Sequence, residues 1–269
     1  MKFWLKKTAF FLKKMQFFSK KIDKFFRILY IYIMNYKKMS RIIGNTIYKY
    51  KMIQPDDKVL VAVSGGKDSL LLLYDLLDKQ RRYPFHFDIK ALSIRMDYCD
   101  YPDGQALEDL FIQWNVPYEI KTVNILSRLK PGRKMNCYWC ASQRRMELIK
   151  YAQENGFNRI ALGHHLDDIV ETFMMNILYK GELSTMLPKL DYDKYPISII
   201  RPLAELHESD IAAFAAEHDL VKIKYVCPYS LNSKRLEVKN TIAALTNDNP
   251  VVKAIIFKAM RNVNGRYLM

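Results

Sequence analysis

The apolar positions of this chain fall into two patterns that alternate along its length. Short unbroken apolar runs, such as Val59-Leu60-Val61-Ala62-Val63, have the length and β-branched content of buried strands. Longer stretches, with apolar residues three and four apart, have the spacing of helices. The pattern predicts a lead-in helix over 39–52, a strand over 58–63 and a helix over 68–80. A second strand over 87–95 is followed by Tyr101-Pro102-Asp103-Gly104, which leads into a helix near 105–115. Pro117 to Val123 reads as a third strand, 124–136 as a polar loop, and 138–155 as a helix stopped by Asn155-Gly156. Arg159-Ile160-Ala161-Leu162 is a fourth short strand, Asp167 or Asp168 begins another helix, and Ile197 to Ile200 is a fifth strand. Further helices are predicted near 207–217, 231–246 and 250–263.

Strands alternating with helices predict an α/β fold, a doubly wound parallel sheet of about five strands with right-handed crossovers, completed by C-terminal helices. Ligands of such sheets lie beyond the carboxyl ends of the strands, where strand order reverses. Three segments take such places: Ser64-Gly65-Gly66-Lys67-Asp68-Ser69 after the first strand, Ile94 and Asp97 after the second, and Gly163-His164-His165-Leu166-Asp167-Asp168 after the fourth.

Composition narrows the class. The chain has 269 residues, half of them hydrophobic, enough for one α/β domain and a small appendage. It holds no uninterrupted apolar run long enough for a transmembrane helix; Ile28 to Met34 is too short to span. Four cysteines do not suggest a secreted disulfide framework, so a cytoplasmic protein is expected. The net charge of +15 favours a polyanionic partner, but residues 1–38 alone contribute +10 and the remainder only +5. Within 1–38 the strings Phe3-Trp4-Leu5-Lys6-Lys7, Phe10-Phe11-Leu12-Lys13-Lys14 and Phe17-Phe18-Ser19-Lys20-Lys21 repeat every seven residues. Three readings fit: low-complexity sequence upstream of a start at Met34 or Met39, a basic helix lying on a membrane surface, and an RNA-binding arm. The expected organisation is a basic extension over 1–38, a nucleotide-binding domain over 39–225 and a C-terminal helical segment over 226–269 that carries Cys227.

The hexapeptide Ser64 to Ser69 carries the chemistry. A glycine turn between strand and helix aims backbone N–H groups and the positive helix end at one point, a site for phosphate. Gly65 and Gly66 permit close approach, Lys67 adds charge, and Ser64 and Ser69 add hydroxyls. A Walker A loop is excluded by Val61, where its first glycine belongs, and a dinucleotide fingerprint by the lack of a third glycine. An ordinary N-capped helix, with Ser64 or Ser69 as cap, is the plain alternative. The hexapeptide resembles the PP-loop of the ATP pyrophosphatase superfamily. That resemblance implies cleavage of ATP between the α and β phosphates, with AMP passed to a substrate oxygen.

Cys137 and Cys140 form a CxxC pair at a helix start, where thiolates are favoured; Cys227 and Cys99 lie apart. The residues alone leave open three thiolates holding an iron–sulfur cluster, a redox or persulfide pair, and four thiolates holding zinc with Cys99 as the last. A PP-loop, then CxxC, then the Gly163 to Asp168 segment, then a lone distal cysteine resembles the TtcA/TtuA tRNA thiolases, from about 39 to 263. The resemblance implies that Cys137, Cys140 and Cys227 hold a 4Fe-4S cluster whose unliganded iron carries incoming sulfide, with Cys99 incidental. It further implies ATP and Mg²⁺, a tRNA substrate, a sulfur donor (a cysteine desulfurase or sulfide) and a homodimer. TtcA-like proteins often carry a second distal CxxC, where this chain has Ser230; TtuA-like proteins carry terminal zinc clusters, which it lacks. The TtcA-like reading, with 2-thiocytidine as product, is favoured over 2-thiouridine.

The resemblance also implies residue roles. Ser64, Gly65, Gly66, Lys67, Asp68 and Ser69 hold phosphates; Ala62 and Ile94 flank adenosine through the backbone; Gly163 lets its chain approach the nucleotide. Asp168 binds metal or aligns the reacting oxygen, and Arg144 meets phosphate or the extruded base. Helix capping is the plain alternative for Asp167 and Asp168, and a transition-metal site is a competing reading of His164 and His165. Lys130, Arg133 and Lys134, and separately Lys234, Arg235, Lys239, Lys253, Lys258, Arg261 and Arg266, are candidate RNA grips, with a solvated face as the alternative. Competing functions are a PP-loop enzyme acting on a small molecule or making lysidine, sulfur transfer to a metabolite, and a non-catalytic ATP-binding module docked at a membrane.

Overall fold

In the computed structural model, residues 36–218, 227 and 234–267 are described. The repeats of the basic extension and Ser230 lie outside them. The chain divides into two compact units, Met1–Arg41 and Ile42–Met269, and the second contains the sheet. Among the described residues no helix is long and apolar enough to cross a membrane.

The second unit opens with the end of a helix, α1 (42–49), and continues β1 (Lys58–Ala62), α2 (Lys67–Arg82), β2 (Asp88–Met96), α3 (Gly104–Gln113), β3 (Tyr118–Val123) and α4 (Cys137–Glu154). Then come β4 (Arg159–Ala161), α5 (Leu166–Lys180), β5 (Lys189–Asp191), β6 (Ser198–Ile200), α6 (Glu208–Glu217), α7 (Lys234–Thr246) and α8 (Pro250–Ala259). The six strands lie in the order β3-β2-β1-β4-β6-β5. All neighbours are parallel except β5 and β6, which pair antiparallel through Leu190 and Ile199. The five predicted strands are therefore joined by a sixth. Lys189-Leu190-Asp191 has one apolar residue between two charges, too little pattern to read as a strand.

Successive strands step outward from β1 through β2 to β3, and the chain then returns to place β4 on the other side of β1. That reversal opens a crevice at the carboxyl ends of β1 and β4. Beneath it, α2 is buried almost all round. Leu70, Leu71, Leu72, Leu73 and Leu76 are fully buried, each contributing about 1.5–3 kcal/mol of transfer free energy. Such burial fixes the start of α2, and hence the glycine turn, against the sheet. A second apolar cluster joins Leu166 and Val170 of α5 to Val238 and Ile242 of α7, with Ile256 and Phe257 of α8 packed against it. This cluster carries the C-terminal helices onto the helix that follows the fourth strand.

Candidate functional site

A cavity of about 520 Å³ opens at the crevice. At one end lie Ala62, Ser64, Asp68 and Ser69 from the β1–α2 turn, with Gly163, His164 and Asp168 after β4; Ile94 of β2 lines it as well. At the other lie Cys137, Cys140 and Arg144 of α4 together with Cys227. Gly65, Gly66 and Lys67 belong to the turn but are not part of the lining.

The turn is tied by its own serines. Ser64 N–H donates to Ser69 Oγ (3.2 Å), and Ser69 Oγ–H donates to Gly66 O (2.9 Å). Gly65 has φ of 86°, in the left-handed region that disfavours other residues. Gly66 is the residue before α2 and no side chain caps the helix, so neither Ser64 nor Ser69 is the cap. The first-turn amides and the positive helix end are left for an anion. Lys67 Nζ meets Asp68 Oδ1 at 3.0 Å and Glu208 Oε1 at 3.2 Å. Burial lowers its pKa, but the two carboxylates outweigh that and raise it, so it is a firm cation. Burial pushes the Glu208 carboxyl up, but Lys239 and Lys67 bring it down to about 2.

Gly163 packs closely on the phosphate turn. A Cβ there would lie 2.9 Å from the Ser69 backbone nitrogen and 3.0 Å from the Asp68 carbonyl carbon. The close approach seen is between the β4 segment and the phosphate turn, and Gly163 also lines the cavity. His165 rather than an aspartate is the N-cap of α5. Its Nδ1 accepts from Asp168 N–H (3.4 Å), and Asp168 Oδ2 accepts from His165 N–H (3.0 Å), a reciprocal capping box. Asp168 Oδ1 accepts from Arg235 Nη2 at 2.7 Å. Burial raises the Asp168 pKa, yet His165 and Arg235 outweigh it and hold the carboxyl below its usual value. Asp167 faces away to structural duty, accepting from Glu208 N–H (2.8 Å) and pairing with Lys253 (3.2 Å). His164 Nδ1 accepts from Arg201 Nε (3.2 Å); burial and Arg201 push its pKa down to about 3, so it is neutral. Both histidines are thus engaged in the fold, which argues against a transition-metal site on the pair. Asp97 likewise accepts from Ile125 N–H (3.0 Å) and secures the end of β3.

At the thiol end, Asn136 caps α4 by accepting from Trp139 N–H (2.9 Å), which places Cys137 and Cys140 in the first turn. No disulfide joins any of the four cysteines. Tyr98 Oη lies 2.7 Å from Cys140 Sγ, and burial followed by that thiol raises its pKa. Met96 Sδ is 3.3 Å from Cys140 Sγ and 3.7 Å from Arg144 Nη2. Cys99, incidental by the family resemblance, is hydrogen-bonded to Cys227; burial and then Cys227 push its thiol up to about 11. Among the described residues no three His, Cys, Asp or Glu side chains are gathered closely enough for one metal ion. A cubane cluster sets its own iron and sulfide atoms between the ligating thiolates, so its ligands stand further apart than those of a single ion.

The basic residues divide. Lys130, Arg133, Lys134 and Arg145 are exposed beside the thiol end, and Lys234, Lys258, Arg261 and Arg266 are exposed on the C-terminal segment. Arg235, Lys239 and Lys253 instead turn to the carboxylates Asp168, Glu171, Glu208 and Asp167 around the phosphate turn. Of these three, Arg235 and Lys253 are partly buried in their pairs, and Lys239 remains exposed. Arg235, Glu208, Glu171 and Tyr98 are the site's neighbours that sequence reasoning did not place there. Tyr98 had one usable signal, its position just past the carboxyl end of β2.

A model of the PP-loop domain matches residues 35–242 of the chain. The tRNA-cytidine(32) 2-sulfurtransferase of Syntrophotalea carbinolica is 35% identical over 240 residues, covering 87% of this chain and 92% of that protein. The chain belongs to the PP-loop tRNA-cytidine(32) 2-sulfurtransferase family. Its relative of that name in Burkholderia multivorans is 37% identical over 238 residues, covering 87% of this chain and 72% of the relative. The solved U34-tRNA thiolase NcsA from Methanococcus maripaludis, with its 4Fe-4S cluster, matches with TM-score 0.71 and 25% identity, covering 85% of this chain and 80% of that one.

Proposed function

We propose that the chain is an ATP-dependent tRNA sulfurtransferase that converts a cytidine to 2-thiocytidine. The observation that carries this reading is the single cavity lined both by the phosphate turn and by Cys137, Cys140 and Cys227. Adenylation alone needs no thiols, and sulfur chemistry alone needs no phosphate loop; exchange of oxygen for sulfur through an AMP ester needs both. Identity of 35–37% to cytidine sulfurtransferases, against 25% to the uridine thiolase, favours cytidine.

The C2 oxygen of a pyrimidine is a poor leaving group. Its attack on the α-phosphate of ATP forms an O–P bond and breaks the bond to the β-phosphate bridge, releasing pyrophosphate. Sulfide attack at C2 then expels AMP. ATP, tRNA and one sulfide enter; thiolated tRNA, AMP and pyrophosphate leave. Ser64, Gly65, Gly66, Asp68 and Ser69 receive the triphosphate through the uncapped start of α2, and Lys67 turns to it from Glu208. Ala62 and Ile94 border the adenosine. Asp68 and Asp168 offer carboxylate oxygens to the Mg²⁺ that accompanies ATP. Arg144, which lines the cavity one turn beyond Cys140, meets phosphate or base.

The thiols fit a three-cysteine cluster: Cys137, Cys140 and Cys227 are unbridged and border the same cavity, while Cys99 is outside the lining. A 4Fe-4S cluster held this way supplies an iron without a protein ligand, an electrophilic position for sulfide. Free sulfide, or a cysteine desulfurase, supplies the sulfur. Exposed Lys130, Arg133, Lys134 and Arg145 beside exposed Tyr138 suit an RNA loop, whose backbone meets the cations and whose unstacked base can meet the ring. Nucleoside analysis of tRNA from cells with and without the gene tests the reading. Loss of 2-thiocytidine alone is expected; loss of a 2-thiouridine instead would move the target to uridine, and unchanged thionucleosides would remove the proposal.

A further inference from the structure

We propose that Arg235 grips the pyrophosphate portion of ATP, and that Asp168 holds its guanidinium in reserve until the nucleotide enters. This deepens the ATP-dependent reaction proposed above and rests on it.

Charge favours this assignment. Around the phosphate turn, five carboxylates (Asp68, Asp167, Asp168, Glu171 and Glu208) meet Lys67, Arg235, Lys239 and Lys253 in ion pairs of 2.7–3.2 Å. These pairs leave no surplus positive charge. A polyphosphate entering here gains further stabilisation when one of these cations changes partner. Of these four cations, Arg235 is the one that borders the cavity. Arg144 and Arg145 border it too, from α4 just beyond Cys140, and Arg145 lies near enough to Arg201 to add to the lowering of its pKa by burial.

Geometry favours it as well. Arg235 Nε donates to Glu171 Oε2 at 2.7 Å, and Nη2 donates to Asp168 Oδ1 at 2.7 Å. Glu171 is buried, so it anchors one edge of the planar fork. Asp168 keeps a second bond, from His165 N–H to Oδ2, when its Oδ1 is released. The guanidinium can therefore leave Asp168 without stranding that carboxylate, while Glu171 retains it as a pivot. Arg235 is also 40% exposed against 18% for Asp168, so the open side of the pair is the guanidinium. A planar donor fork at the mouth of a phosphate site is suited to two-point recognition of phosphate oxygens. The same release frees Asp168 Oδ1 for the metal that comes with the nucleotide.

Equilibrium binding of ATP and AMP to the full-length protein tests the assignment. Arg235→Gln is expected to weaken ATP by about ten- to a hundredfold while leaving AMP unchanged. Asp168→Asn has the opposite sign in EDTA: with the competing carboxylate gone, metal-free ATP binds more tightly, and the gain disappears in the double variant D168N/R235Q. Arg235→Lys, which keeps the charge and loses the fork, should retain the wild-type melting temperature and fall between the two in ATP affinity. Equal weakening of ATP and AMP by Arg235→Gln, or no tightening in Asp168→Asn, would overturn the assignment. If Arg235→Gln does not fold, the Asp168→Asn and Arg235→Lys isotherms decide it. Wild-type protein that binds no ATP would remove the proposed reaction itself, whereas ATP binding indifferent to Arg235→Gln removes this assignment alone.

Discussion

The two ends of the cavity are built differently. At the phosphate end, Ser64, Ser69 and Gly66 bond one another, Gly163 packs on the Ser69 backbone, and Asp168 is held on both oxygens. These restraints hang on β1, β4 and the buried leucines of α2, so the arrangement exists without a ligand. At the thiol end, Cys137 is exposed, and Cys140 and Cys227 are half-buried and unbridged. The loop before Cys137 carries exposed residues at Lys130, Arg133 and Lys134. One end is tied by backbone bonds and ion pairs; the other turns cysteine side chains, Cys140 hydrogen-bonded to Tyr98 among them, to the same cavity. Backbone amides and ion pairs satisfy each other on folding, whereas cysteine thiols give up their protons when they become metal ligands.

That contrast predicts separable losses. The largest concerns the thiols. Replacing Cys137, Cys140 or Cys227 by Ser should abolish 2-thiocytidine formation and iron retention in anaerobically purified protein while ATP still binds. Loss of ATP binding in all three variants would show that the two ends are not independent. Gly163→Ala should do the reverse. Its methyl meets the Ser69 nitrogen at 2.9 Å, so the turn must shift, at about 1–3 kcal/mol. ATP affinity and melting temperature should fall while iron content stays near wild type; an unchanged affinity would mean that the turn adapts freely.

A smaller effect is expected at Tyr98. Tyr98→Phe removes a hydroxyl 2.7 Å from Cys140 Sγ. Hydrogen bonds to ligating sulfur help set the potential of such clusters, and losing a donor disfavours the more negative reduced form. The reduction potential should become more negative with iron content unchanged; no shift would mean that the hydroxyl turns away once the site is filled. The smallest effect concerns pH. Glu208 is held down to about 2 in the fold from an ordinary value of 4.5. Its pairing therefore stabilises the folded state fully above pH 4.5, and that contribution is lost as pH falls from 4.5 towards 2. The stability difference between wild type and Glu208→Gln, read from denaturant titrations, should be constant near neutrality and shrink in that acid window. A difference that grows on acidification would contradict the pairing with Lys67 and Lys239.

The sequence was most readable where local pattern and local chemistry coincide. Val59 to Val63 reads as a strand because it is continuously apolar and β-branched, and Ser64 to Ser69 reads as a phosphate turn because glycines there have few other uses. What escaped depends on residues far apart in the chain. Arg235 reaches Asp168 across 67 positions and Lys67 reaches Glu208 across 141, and nothing local marks either pair. Arg235, Lys239 and Lys253 therefore looked like part of a basic surface. Gly163 reads in the sequence as a point of close approach, but the Ser69 backbone it packs against is 94 positions away and is not marked locally. Lys189-Leu190-Asp191 becomes a strand only because β6 offers an edge to pair with.

The most direct test of the shared cavity is an anaerobic crystal structure of the full-length protein with a non-hydrolysable ATP analogue, collected at the iron absorption edge. The account predicts triphosphate density on Ser64 to Ser69 and an iron signal between Cys137, Cys140 and Cys227 in the same cavity. Iron bound elsewhere, or a nucleotide seated away from that turn, would contradict it.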